Sequence, residues 1–191
     1  MSKEARFPFL LANLIDRKSG KPVFQPFMIK GVQGIRVGIT GLISNDLPLG
    51  IPAGEKERFQ LADPFSTARK IIAGMKKKKC QVIIVMAHME NEEQERLARE
   101  VRGIDFILSG HVTYQADPIK MERAEIFFAG ARGENLGDLD FVLEQKKLEH
   151  RFTRVPLTTQ FGDQAQMLEL VNEYKAKLKA LSEGPSDKTS E

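Results

Sequence analysis

A chain of 191 residues, 41% hydrophobic and 29% charged, reads as an ordinary globular protein with room for one domain and a real core. A formal net charge of +3, with the basic residues scattered, does not argue for nucleic acid as a partner. The single cysteine, Cys80, excludes an internal disulfide.

In chain order, residues 9–15 (FLLANLI) read as a short buried strand. The turn Gly20-Lys21-Pro22 leads to a second strand near Phe24 to Val32, and Gly34 opens a third, Ile35 to Leu42, whose Val37, Ile39 and Thr40 suit a sheet. Ser44 to Lys56, rich in Gly, Pro and Asp, reads as a loop. Asp63-Pro64 is a cap with proline in the first turn, so a helix is predicted from about 64 to 78, with Phe65, Ala68, Ile72 and Met75 in one apolar stripe. The run Lys76-Lys77-Lys78-Lys79 complements the negative end of that helix's dipole, and a solvated helix end is favoured over a phosphate or lipid site. Cys80 precedes the apolar Val82 to Val85 and is expected to pack rather than react.

Val82 to Ala87 is a continuous apolar run, as in a strand covered on both faces. Asn91-Glu92-Glu93 caps a charged helix with Leu97, Ala98 and Val101 inward, ended by Gly103, and Ile104 to Leu108 is the next buried strand. Strand, helix, strand at this spacing is a βαβ unit, whose strands lie parallel in one sheet. Glu125 to Ala129 reads as a strand, and Leu139 to Leu143 with Phe152 to Leu157 as a hairpin turning within Gln145 to Glu149. A last helix is predicted from about Gln164 to Leu181. Its Met167, Val171, Tyr174, Leu178 and Leu181 form a stripe that suits packing on its own domain better than on a partner. The polar end, Ser182 to Glu191, is expected to be disordered. No apolar stretch approaches the ~20 residues of a membrane span, and Met1 to Ala5 opens no signal-peptide core. As given, the chain is expected in the cytoplasm with no membrane partner, and in the periplasm or exported if a segment lies upstream.

His88 closes one strand of the βαβ unit and His111 the other, so both imidazoles are expected at the C-terminal edge of one parallel sheet, where open α/β sheets bind ligands. The strand Ile35 to Leu42 brings Asn45 and Asp46 toward the same edge. Imidazole is a common ligand for zinc and similar ions. A catalytic zinc takes three protein ligands and a two-metal hydrolase adds carboxylates, so the pair stands between a partial metal site and two polar strand ends. The chain has no G-x-G-x-x-G after a strand, no P-loop and no G-x-S-x-G. The glycine-rich Gly130 to Gly137 reads as a turn feeding the hairpin, with Arg132 able to meet an anion.

The segments "FPFLLANLIDRKSGKPVFQPFMIKGVQGIRVGITGLIS", "VIIVMAHMENEEQERLAREVRGIDFILSGH" and "FFAGARGENLGDLDF" together resemble the 5′-nucleotidase group of calcineurin-like metallophosphoesterases, from about Phe7 to Leu157. The resemblance implies an α/β fold, the second half of a four-layer α/β/β/α sandwich with a dinuclear metal centre between its sheets. It puts a metal ligand at His88 and another at His111, the first histidine of the family's G-H-x-H motif. At the second histidine of that motif stands Thr113, at best a weak oxygen ligand. The family's D-x-H, G-D and G-N-H-[ED] motifs precede the segment that begins here at Phe7, and no residue of this chain matches them or the family's acid catalyst.

The implied layout is a partial metallophosphoesterase-like domain over 1–160, a C-terminal amphipathic helix over 161–182 and a disordered tail over 183–191. The implied function is phosphoester hydrolysis in nucleotide catabolism, by a fragment inactive alone. The complete relative would hold divalent ions, zinc or manganese; this chain would hold them weakly or not at all. The rival expectation is a non-catalytic binding or scaffold domain that keeps the fold. Met1 is expected not to be the start of the functional protein. A missing N-terminal half or self-association is the expected partner, because half a sandwich leaves one sheet face uncovered.

Overall fold

A computed structural model describes residues 5–46, 57–111 and 117–182. Most of the predicted loop over 44–56, Thr113, and the tail from residue 183 lie outside the described residues. The strands are β1 (Leu14–Asp16), β2 (Lys21–Pro22), β3 (Phe27–Val32), β4 (Ile35–Ile43), β5 (Phe59–Leu61), β6 (Val82–His88), β7 (Phe106–Ser109), β8 (Ile119–Lys120), β9 (Glu125–Phe128), β10 (Asn135–Glu144) and β11 (Lys147–Pro156). The helices are α1 (Pro64–Lys77), α2 (Asn91–Glu100) and α3 (Ala165–Ser182). The chain divides into two compact units, one ending at Pro156 and one starting at Leu157.

The fold of the first unit is α/β. Its main sheet has the order β3-β4-β6-β7-β9-β8. The four central strands are parallel and the two edge strands antiparallel to their neighbours. The βαβ unit expected from the sequence is β6–α2–β7. Alternate residues of the central strands serve two cores, as the two-residue period of a strand requires. On one face Ile83, Val85, Ala87, Ile107, Ile126 and Phe128 pack under Phe65, Ile72 and Met75 of α1 and Leu97 and Ala98 of α2. On the other, Val37, Ile84, Phe106 and Phe127 meet Leu139, Phe141, Leu148 and Phe152 of the β10–β11 hairpin. Fully burying one such side chain contributes roughly 1.5–3 kcal/mol. Helices, sheet and hairpin thus supply the α, β and β layers of the expected sandwich.

Local chemistry fixes each element. Asp63 caps α1, its Oδ1 accepting from the Ser66 N–H at 2.7 Å, and Pro64 fills the first turn. Helix α1 lies close on β4 because Gly38 has no Cβ, which would sit 2.7 Å from Met75 Sδ. Cys80 is buried, 5% exposed, as expected. The hairpin is longer than predicted and turns on Gln145 and Lys146, both left-handed at φ +48° and +68°. Helix α2 starts at Asn91 with Glu90 in the capping position, so Asn91 to Glu93 form its first turn rather than its cap.

The predicted strand over 9–15 is corrected. Only Leu14–Asp16 is strand, in a small sheet of order β2-β1-β5. Before it the chain runs as a strap across the end of β4: the Ala12 N–H donates to Gly41 O at 2.9 Å, and a Cβ on Gly41 would run into the Leu10 carbonyl. Asn13, wholly buried, replaces the ladder: its Nδ2 donates to Ile43 O at 2.8 Å and its Oδ1 accepts from the Ile43 N–H at 3.1 Å. In the second unit α3 spans Ala165–Ser182, and Met167, Val171, Tyr174, Leu178 and Leu181 are all exposed. No helix among the described residues is long and apolar enough to cross a membrane.

Candidate functional site

His88 is the last residue of β6 and pairs in register with Ile43 at the end of β4. His111 lies two residues beyond β7, after Gly110 has donated its N–H to Ala87 O at 2.7 Å. Parallel pairing of β6 and β7 therefore delivers both imidazoles to one edge, as the sequence predicted. Their ring centroids are 4.9 Å apart with the planes at 70°. Gly110 permits this approach, since a Cβ there would lie 3.2 Å from His88 Nδ1. His111 itself sits at φ +63°, a left-handed conformation that few non-glycine residues adopt. The protein around the inner side of His88 holds its pKa below the usual histidine value, and the charge of His111 adds to this. The neutral form, with a lone pair for a cation, is favoured.

Three residues that the sequence reading did not single out set this geometry. Glu90 Oε1 lies 3.0 Å from His111 Nε2. Gln94, fully buried, donates from Nε2 to Met89 O at 2.8 Å and to Ser109 Oγ at 2.9 Å. Met89 follows His88 and Ser109 precedes Gly110-His111, so one amide ties together the two loops that carry the imidazoles. Asn13 holds both polar backbone groups of Ile43, the register partner of His88. A signal existed for Gln94, which shares the inward spacing of Leu97, Ala98 and Val101. Asn45 and Asp46 follow β4 to the same edge and are exposed, with the Asp46 N–H donating to Ser44 Oγ at 3.1 Å. Thr113 lies outside the described residues. The third histidine, His150, is at the opposite end of the sheet, 2.9 Å from Glu125 Oε2 and edge-on to Phe106 and Phe127, where it fastens the hairpin.

Beside His88 opens an apolar cleft of about 330 Å³, lined by Phe9, Leu10, Phe24, Met86 and Leu108 among others. The hairpin packs over Ile84 and Phe106, while Met86, two residues further along β6, is 38% exposed. The ring separation suits two ligands of one ion, with bonds of about 2 Å each. Among the described residues no three His, Cys, Asp or Glu side chains converge to hold a metal ion.

The fold is α/β, with the histidine pair at the C-terminal edge of its parallel strands. No family model matches the chain. It is 33% identical over 134 residues to the 5′-nucleotidase of Vibrio cholerae, covering 62% of this chain and 23% of that protein. It is 28% identical over 170 residues to the 2′,3′-cyclic-nucleotide 2′-phosphodiesterase/3′-nucleotidase of Salmonella typhimurium, covering 73% of this chain and 26% of that one. The solved 5′-nucleotidase precursor of Thermus thermophilus matches with a TM-score of 0.70 at 23% identity, over 95% of this chain and 40% of that one, which shows the fold. The chain is thus similar to 5′-nucleotidases and cyclic-nucleotide phosphodiesterase/nucleotidases. It spans about a quarter of the length of these two curated relatives.

Proposed function

We propose that the chain contributes the His88 and His111 ligands of a metal-dependent site that hydrolyses phosphoesters of nucleotides. The observation that carries this is the meeting of two imidazoles, from adjacent parallel strands, at 4.9 Å between centroids on the sheet's C-terminal edge. The substrate class follows the relatives, whose activities are on nucleotides. Divalent ions such as zinc or manganese, when bound, polarise the phosphoryl group and make a bound water more acidic. His88 and His111 hold one ion in this reading, and Thr113 offers at most a weak oxygen. Two neutral imidazoles do not offset the charge of two divalent ions, so the chain by itself binds metal weakly and turns over little substrate. The remaining ligands lie outside the described residues in this reading, and Phe9, Phe24 and Met86 offer an apolar seat for the segment that brings them.

Thr113, standing where the resembled motif has its second histidine, favours a second reading, a non-catalytic domain that keeps the fold. Calorimetric titration with zinc and manganese separates the two, alongside assays on nucleoside monophosphates and p-nitrophenyl phosphate. The expected result is weak binding that either His88→Ala or His111→Ala abolishes, with no appreciable turnover. Tight binding that survives both substitutions would remove the ligand assignment. Metal-dependent turnover by the lone chain, lost in His111→Ala, would show that no further ligands are needed. No binding at all would leave the non-catalytic reading.

A further inference from the structure

Glu90 Oε1 is 3.0 Å from His111 Nε2. A carboxylate has no proton to give, so in this contact the imidazole donates its Nε2–H. The neutral ring then carries its lone pair on Nδ1, the one nitrogen left to meet a cation. We infer that Glu90 is a positioning residue, whose carboxylate fixes the tautomer of His111 and makes Nδ1 its metal-facing atom. This rests on the reading of His88 and His111 as ligands.

The placement of Glu90 supports the role. It occupies the capping position of α2, with extended backbone at φ −66° and ψ 158°, where a side-chain oxygen ordinarily accepts a backbone N–H of the first turn. Its side chain makes no such bond and reaches His111 instead. The backbone beneath it is fixed, because Met89 is fully buried and its carbonyl accepts from Gln94. On the other side, the left-handed turn at His111 keeps the ring beside His88 instead of extending the line of β7. A carboxylate behind a ligating imidazole is the usual device for orienting it, and removing one weakens metal binding by about 10–100-fold.

The test uses the full chain, labelled with ¹⁵N and free of metal, at about pH 8, where an ordinary imidazole is neutral. Long-range ¹⁵N–¹H correlation reports which ring nitrogen carries the proton, with His111 assigned by its loss in His111→Gln. The expected spectrum has the His111 proton on Nε2. Glu90→Ala should convert it to a mixture of tautomers, while Glu90→Gln, whose side-chain oxygen still accepts, should keep it. Zinc titration of the same proteins should show Kd raised about 10–100-fold in Glu90→Ala and less in Glu90→Gln. A wild-type proton on Nδ1, a spectrum unchanged in Glu90→Ala, or tighter zinc binding in that variant would overturn the inference. Zinc bound by a His111 protonated on Nδ1 would overturn it while leaving the ligand reading intact. The expected tautomer with no zinc binding would remove the ligand reading, and the metal-facing role with it.

Discussion

Gln94 donates both amide hydrogens, one to the strand end that carries His88 and one to the strand end that carries His111. Its own Oε1 is buried with no partner among the described residues, as is Asn91 Oδ1. The two donated bonds satisfy the Met89 carbonyl and add a second bond at the Ser109 hydroxyl, which itself donates to Gly110 O at 3.1 Å. Gln94→Ala removes both bonds and opens a cavity, for an expected loss of about 2–4 kcal/mol. The shift in urea midpoint at unchanged m measures it, and a loss below about 0.5 kcal/mol would show that the loops hold themselves. Legibility differs among these residues for physical reasons. His88 and His111 were readable because a parallel sheet sends strand ends to one edge. A polar residue inside an apolar pattern was a readable sign for Gln94 and for Asn13 in FLLANLI. Glu90 gave none: it is an exposed acid in an acidic run, and only the tertiary fold brings it to His111.

The elements divide in the same way. Runs covered on both faces, such as Val82 to Ala87 and Ile104 to Leu108, announced β6 and β7, and the cap at Asp63 announced α1. The run 9–15 is equally apolar, yet most of it is a strap, because composition alone does not separate a strand from chain laid across a strand end. The hairpin was read too short because its turn lacks the Asn-Gly signature of a two-residue connection. Gln145 and Lys146 adopt the left-handed conformation without the residues that favour it. Replacing them as a pair, Gln145→Asn with Lys146→Gly, should relieve that cost and raise stability by about 0.5–2 kcal/mol. Both side chains are exposed, so little packing is lost. A thermal midpoint that does not rise would mean that the turn is held by the strands and not by its own residues.

At the scale of the first unit, one sheet face is covered by two helices and the other only in part by a two-stranded hairpin. What the hairpin leaves open is apolar. Phe7 is 65% exposed, Phe9 41% and Met86 38%, and the rings of Phe7, Phe9 and Phe24 stack in series at 5.4 and 5.8 Å. Exposed patches of this kind favour association, and the cleft they line lies beside His88, where any covering chain would also meet the histidine pair. The purified chain is therefore expected to self-associate, with a sedimentation or light-scattering mass above that of one copy, rising with concentration. The double variant Phe9→Ser with Met86→Ser removes two of the largest exposed contributors and should move the population toward monomer. Both side chains are partly solvated, so the variant should fold, and circular dichroism checks that it does. A wild-type chain that stays a monodisperse, cooperatively melting monomer at the highest concentration it reaches would mean that this face is stable in water. The apolar seat proposed for a covering chain would then have lost its physical basis.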